Sequence, residues 1–240
     1  QRIISDLRTI YPPTSEVYVF GPMARFGWGT PTLITGDLGV VLEIPTWKIA
    51  LLGRMQTLLP DENAPLVDIN LAVVGFLDPP NKSVSIDASL YDSRVLAWAI
   101  SGDMALRSNW GENPRFVLSV GGWNPRFEPP NDFPELDRIT ATLGPPGGNP
   151  SLQYSGYFAV TSNTVQAGAG AHLLAEAGPA RVEGKIAFDA LVQFDPFKFI
   201  VDFLASLSVT IKNKGLSIRI DGTLSGPGPF RIRGKLTIEI

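Results

Sequence analysis

The sequence has no cysteine, one histidine and few charged residues for its length. Without cysteine the chain holds no disulfide, no thiolate metal ligand and no thiol nucleophile. Charged residues make up 18% of its 240 residues, against a usual share of about 25%. The formal net charge is −3, whereas nucleic-acid-binding proteins carry a basic patch or stripe, so we predict no nucleic-acid partner.

Long apolar runs are missing as well, and no stretch of about 18 consecutive apolar residues predicts a transmembrane helix. Hydrophobic residues nevertheless make up 44% of the chain, which is typical of a folded protein and not of a disordered one. The chain begins at Gln1 and stops inside an alternating pattern at Ile240. We therefore expect a processed chain or a section of a longer protein.

Residues 181–240 alternate between apolar and polar side chains, and Gly/Pro turns interrupt the alternation. Successive side chains of a strand face opposite sides, so this period of two predicts long antiparallel strands with one apolar face. The turns fall at Asp195-Pro196 and Gly226–Pro229. We predict an all-β fold, a long-stranded antiparallel meander with one apolar face, curved into a barrel, a sandwich or a trough.

The same alternation continues upstream, less regularly, and suggests three parts. An N-terminal β segment covers residues 1–120, and a C-terminal β meander covers residues 151–240. Between them, residues 121–150 form a loop rich in proline, glycine and aromatic residues. The three parts either form separate segments or belong to one continuous sheet, since a crossover loop has the same composition as a boundary. Residues 2–10 carry apolar side chains at helical spacing, which predicts a short helix before Pro12.

No group of residues predicts catalysis, a metal site or a cofactor. His172 occupies a polar position of a predicted strand, and the nearby sequence offers no partner that would make it catalytic. The carboxylates of the C-terminal region also fall on polar strand positions, which predicts surface charge and not a buried acid–base pair. These carboxylates are Glu176, Glu183, Asp189, Asp202 and Asp221. We predict that the protein is not an enzyme.

Two sets of residues are candidates for binding. The first is apolar and would line a groove for a hydrophobic ligand if the sheet curls. It comprises Phe158, Ile186, Phe188, Phe194, Phe199, Phe203, Val209, Ile218 and Phe230. The second is the aromatic set of the central loop, which would either grip a partner or plug one end of the sheet. It comprises Trp123, Phe127 and Phe133.

The central loop also carries a resemblance to a family. The run Gly121–Pro130 reads GGWNPRFEPP, Phe133-Pro134 follows it, and Tyr157–Asn163 reads YFAVTSN. Together these residues resemble a family of large, uncharacterised bacterial β-rich proteins that share a GGWNPRFxPP-like loop. The resemblance implies a β-rich fold and a chain that is part of something larger. It implies no activity, cofactor or catalytic residue.

The apolar face has to be covered, and the kind of cover defines the function. If protein covers it, the chain is a non-catalytic scaffold within a larger assembly or a longer chain. If lipid or another apolar ligand covers it, the chain is a hydrophobic groove. If a bilayer covers it, the chain is a segment of an outer-membrane β-barrel. As partners we expect a second copy, or the rest of a larger chain, pairing through edge strand 230–240, and in the groove hypothesis lipid.

Overall fold

The computed structural model describes residues 16–30, 32–145, 148–212 and 214–240. Over these ranges the chain is all-β and has no helix, so the predicted fold class is confirmed. The helix predicted over residues 2–10 lies outside the described residues. Within them, no helix is long and apolar enough to cross a membrane.

Fifteen strands account for most of the described chain. They are long, because the apolar/polar alternation runs for many residues before a Gly, Pro or Asn turn interrupts it. The strands are β1 Tyr18–Phe20, β2 Met23–Trp28, β3 Ile34–Ile44, β4 Lys48–Leu59, β5 Val67–Asp78, β6 Ser83–Val95, β7 Trp98–Asn109, β8 Arg115–Val120, β9 Ile139–Leu143, β10 Ser151–Thr161, β11 Thr164–Ala177, β12 Ala180–Gln193, β13 Lys198–Ile211, β14 Lys214–Gly226 and β15 Arg231–Glu239.

All the strands belong to one antiparallel sheet in which most chain neighbours pair. The two short strands β1 and β2 both pair with β3, so they form one edge of the sheet. At the other end of the pairing path lies β15, which pairs with β14. Among the described residues β1 and β15 do not pair with each other, so the path has two ends.

The central loop does not interrupt this sheet. Strands β8 and β9 lie end to end between β7 and β10, and both pair with these two neighbours. Residues 121–138, which we call the aromatic loop, leave the sheet between β8 and β9. The N-terminal and C-terminal segments are therefore parts of one continuous sheet.

The strand register places most of the apolar side chains of the C-terminal strands on one side, while Leu174, Leu191, Ile200 and Leu204 lie on the other. Phe188 pairs with Phe203, Val192 with Phe199 and Leu207 with Ile218. We call this side of β10–β15 the apolar face. It consists of the even-numbered residues 152–160, 182–192, 216–226 and 232–238 and the odd-numbered residues 165–177 and 199–211. The alternate residues of the same strands form the polar face.

The aromatic loop packs on the polar face of the central strands. Phe133 is buried against Ala105 and Val117, and Trp123 and Leu136 pack around this cluster. The side chains of Ala105 and Val117 share a side of the sheet with the polar face. The expectation that the loop plugs one end of the sheet was therefore wrong: the loop lies over the middle, where small residues leave room for its aromatic rings.

On the apolar face, the ring of Phe203 leaves no room for a side chain at Gly222. A Cβ atom on Gly222 would lie 1.9 Å from the ring of Phe203, the residue directly opposite on β13. We expect Gly222→Ala to displace this ring and to lower the free energy of unfolding by about 1 kcal/mol, measured by urea denaturation. The matched control is Gly234→Ala, because the nearest atom to a Cβ there is 3.8 Å away. Equal effects of the two substitutions would contradict this packing.

Candidate functional site

The apolar face of β10–β15 lies open, since no layer of described residues covers it. The exposed fraction is 61% for Ile186, 50% for Leu207 and 47% for Phe203. The structure brings together every candidate lining residue that lies in a strand, namely Phe158, Ile186, Phe188, Phe199, Phe203, Val209 and Ile218. The other two candidates, Phe194 and Phe230, are exposed and lie in the turns that flank this face.

A cluster of aromatic rings closes one end of the apolar face. The ring centroids of Phe197 and Phe199 are 6.4 Å apart, and those of Phe199 and Phe230 are 5.8 Å apart. Gly226 lies beside this cluster, and a Cβ there would come within 2.9 Å of Phe199 and of Phe230. The three rings therefore form a broad apolar end to the face, next to the turns after β12 and β14.

The apolar face carries no charged side chain, and Tyr154 is the one residue on it with a polar side-chain group. The ring of Tyr154 lies 5.5 Å from that of Trp98 on β7. At about 3.3 Å per residue and about 4.8 Å between strands, β10–β15 present an area on the order of 1,000 Å². Exposed apolar patches on monomeric proteins rarely exceed roughly 300–600 Å², so this face has the size of an interaction surface.

The aromatic loop packs on the opposite side of the sheet, the polar face. Trp123 stacks on Phe127 and meets Phe133 edge-on, with ring centroids 5.0 Å apart in both pairs. The backbone N–H of Asn124 donates to Oε1 of Gln166 at 3.1 Å, and both residues are buried. The aromatic side chains proposed as a partner-gripping set are thus packed against each other and against the sheet.

Two ion-paired or stacked arginines fix the loop further. Arg126 donates from Nε to Asp202 of β13 at 2.6 Å. The guanidinium of Arg138 lies 3.9 Å from the ring centroid of Tyr157 and donates to the carbonyls of Gly121 and Trp123. Burial lowers the pKa of Arg138. Sequence analysis missed the buried residues of this region because Tyr157 and Gln166 occupy polar strand positions that ordinarily face water.

Two carboxylates meet on the polar face, because Asp189 and Asp202 are directly opposite on β12 and β13. The two carboxylates accept hydrogen bonds from different side chains. The hydroxyl of Tyr157 donates to Asp189 at 2.9 Å, and burial raises the pKa of this tyrosine. The hydrogen bond from Arg126 lowers the pKa of Asp202, so that carboxylate stays ionised. This arrangement ties the loop to the sheet and leaves neither Asp202 nor Tyr157 suited to exchange protons near neutral pH.

Clefts lie beside the aromatic loop. A cleft of about 580 Å³ is lined by Trp123, Phe133 and residues 134–138. A smaller one of about 190 Å³ lies between Arg138 and Asp189. The buried Nε1 of Trp123 and Nδ2 of Asn124 have no hydrogen-bond acceptor among the described residues. Nowhere in the described ranges do three His, Asp or Glu side chains lie close enough together to hold a metal ion.

The single histidine belongs to an ion-pair network on the polar face. Its Nε2 lies 3.1 Å from Oε1 of Glu183. Lys185 and Arg181 also contact Glu183, at 2.7 and 2.9 Å, and Arg181 reaches Glu176 at 2.7 Å. Hydrogen bonds from Lys185, Arg181 and His172 lower the pKa of Glu183 from 4.5 to about 2. The structure therefore places His172 in a surface network, as its strand position predicts.

This network predicts a pH dependence. Because the folded-state pKa of Glu183 is depressed, its contribution to stability is present above about pH 4.5 and is lost as the pH falls towards 2. We expect Glu183→Gln to lower the free energy of unfolding at neutral pH and to flatten its pH dependence in that window. Urea denaturation at several pH values measures both effects. The control is Glu239→Gln, an exposed carboxylate of β15 outside this network; an unchanged pH profile in Glu183→Gln would contradict the network.

A comparison with known protein families matches residues 1–240 to a family of unknown function, DUF6603. The match covers the whole chain, and the chain therefore belongs to this family. Neither a search of curated proteins nor a search of solved structures returned a match.

Proposed function

We propose that this member of the DUF6603 family is a non-catalytic structural β module that works by burying its apolar face against an apolar partner. The observation that carries the proposal is the open, uncharged surface of β10–β15. Burying one large apolar side chain is worth about 1.5–3 kcal/mol, so leaving such a face in water is unfavourable. A partner layer at the usual sheet-to-sheet spacing of about 10 Å would remove that cost.

The polar face supports a non-catalytic role. Its histidine is within hydrogen-bond distance of Glu183, and several of its carboxylates form ion pairs at the surface. A general acid or base needs a pKa near the working pH, whereas neighbours hold the pKa values of Glu183 and Asp202 below their ordinary range. The charged and polar side chains of the polar face serve to anchor the aromatic loop and to keep this side of the sheet hydrated.

As the main form of this proposal, the partner layer is protein, and the chain is a scaffold section of a larger assembly or a longer chain. We include in this proposal that the chain is related to large bacterial proteins that share a GGWNPRFxPP-like loop. Two apolar sheet faces that pack together bury both surfaces at once, and obligate interfaces resemble a domain core cut in half. The alternation of large Phe and small Gly and Ala on β12–β14 suits interdigitation of two such faces.

We expect the isolated chain to self-associate through the apolar face. Ile186→Lys together with Leu207→Lys places two charges on that face and should shift the chain to monomer in sedimentation velocity experiments. The control, Ser206→Lys with Ser208→Lys, places the same charges on the polar face of β13 and should leave association unchanged. A wild-type chain that stays monomeric at high concentration and carries no bound apolar molecule would contradict the proposal.

A second candidate function is favoured by the scarcity of hydrogen-bonding side chains. Protein–protein interfaces carry about one hydrogen bond per 100–200 Å², yet the apolar face offers a single polar side chain, that of Tyr154. Acyl chains need no directional partner, so lipid is a suitable occupant. In this form the chain is a hydrophobic groove for lipid. The alternative in which a bilayer covers the face stays a prediction.

Native mass spectrometry of the purified chain, with organic extraction of the same sample, distinguishes the two candidates. The lipid hypothesis predicts acyl lipids in the wild type and their loss from the Ile186→Lys/Leu207→Lys variant. Retention of lipid by the Ser206→Lys/Ser208→Lys control would localise it to the apolar face. A wild type that self-associates without any extractable lipid would support the scaffold function and contradict the groove.

A further inference from the structure

The last strand of the pairing path, β15, has one edge without a partner among the described residues. Eight of its nine residues are exposed. An edge strand offers a row of backbone N–H and C=O groups to which another extended segment can pair. The edge is a second interaction surface of the proposed structural module, and its use does not depend on what covers the apolar face.

Cations line one side of this edge. Arg231, Arg233 and Lys235 are successive residues on the polar face of β15. Across the strand pair they meet Ser225, Thr223 and Asp221 of β14. Asp221 is bound by Arg219 of its own strand at 2.8 Å. Neither Arg231 nor Arg233 forms an ion pair with any residue that the structure describes, so the edge carries unneutralised positive charge.

Aliphatic side chains line the other side of the same edge. Ile232, Leu236 and Ile238 lie on the apolar face, and Ile232 is 80% exposed. A strand that pairs with β15 would therefore meet cations on one side and aliphatic groups on the other. Cross-strand neighbours of opposite charge are stabilising, as are apolar neighbours. The edge thus favours a partner strand in which Asp or Glu alternates with Val, Ile or Leu.

The edges of a second copy do not provide this complement. When two β15 strands overlap fully in an antiparallel pair, Lys235 faces Lys235 and Arg231 faces Glu239, the one acidic residue of the strand. A second copy therefore offers one carboxylate to three cations, whereas a strand with Asp or Glu at every second position offers one to each. The opposite edge of the sheet, formed by β1 and β2, has no acidic residue, and its Arg25 already pairs with Asp37. From these charges we infer that the free edge of β15 is a docking site for an acidic, amphipathic strand of a partner protein.

The test uses two labelled synthetic peptides of about eleven residues, one alternating Glu with Val and one alternating Lys with Val. Fluorescence anisotropy with the whole chain at low salt should show roughly tenfold or more tighter binding of the Glu peptide. The preference should fade in about 1 M salt, where charges are screened within about 3 Å. The variant Arg231→Glu/Arg233→Glu/Lys235→Glu should prefer the Lys peptide, whereas Lys198→Glu, a single charge change on β13, should keep the wild-type preference.

Hydrogen exchange locates the peptide. Bound Glu peptide should protect backbone amides of residues 231–239 and leave those of residues 23–28 unchanged. Binding of neither peptide would mean that the cations only guard the edge against pairing, and this result would overturn the inference. Equal binding of both peptides without protection of β15 would also overturn it. That second outcome would point to capture by the apolar face and would leave the proposed function standing.

Discussion

The feature that dominates the structure is one uninterrupted apolar surface that no described residue covers. Across β10–β15 the register brings every second side chain to the same side, and that side has no charge. Such a surface is unfavourable in water, and the unfavourable free energy grows with its area. The long strands, the glycines beneath Phe203 and Phe199, and the aromatic end of the face all serve to make this surface broad and continuous. In the proposed function a partner covers this surface.

The two faces of the sheet differ in what packs on them. The polar face receives the aromatic loop, whose Phe133 is buried against small residues of the central strands. Arg126 and Arg138 then fix the loop through Asp202 and Tyr157. The loop covers the central part of the polar face, whereas no described residue covers the apolar face, so the two sides of the sheet differ in how far they are covered. This asymmetry is what favours a module that acts by burying its apolar side.

Much of the fold follows from local pattern, and the aromatic loop shows where local pattern stops. The alternation in residues 181–240 places Phe188, Phe199, Val209 and Ile218 on one face, because strand geometry alone fixes that relation. The location of the loop could not be predicted in the same way. Its docking depends on Ala105, Val117 and Gln166, which are distant in sequence and unremarkable in type. Contacts of that kind arise only when strands from different parts of the chain are brought side by side.

The sequence by itself therefore did not reveal β9 within the predicted loop of residues 121–150. It determined the all-β class, the apolar side of each C-terminal strand and the surface role of His172. These properties depend on the period of two along a strand, which is a local constraint. The tertiary structure alone decided that one sheet runs through the whole described chain, that β8 and β9 share the gap between β7 and β10, and that the apolar face stays open. Strand order and cover depend on pairing between distant segments, and side-chain alternation carries no information about which segments pair.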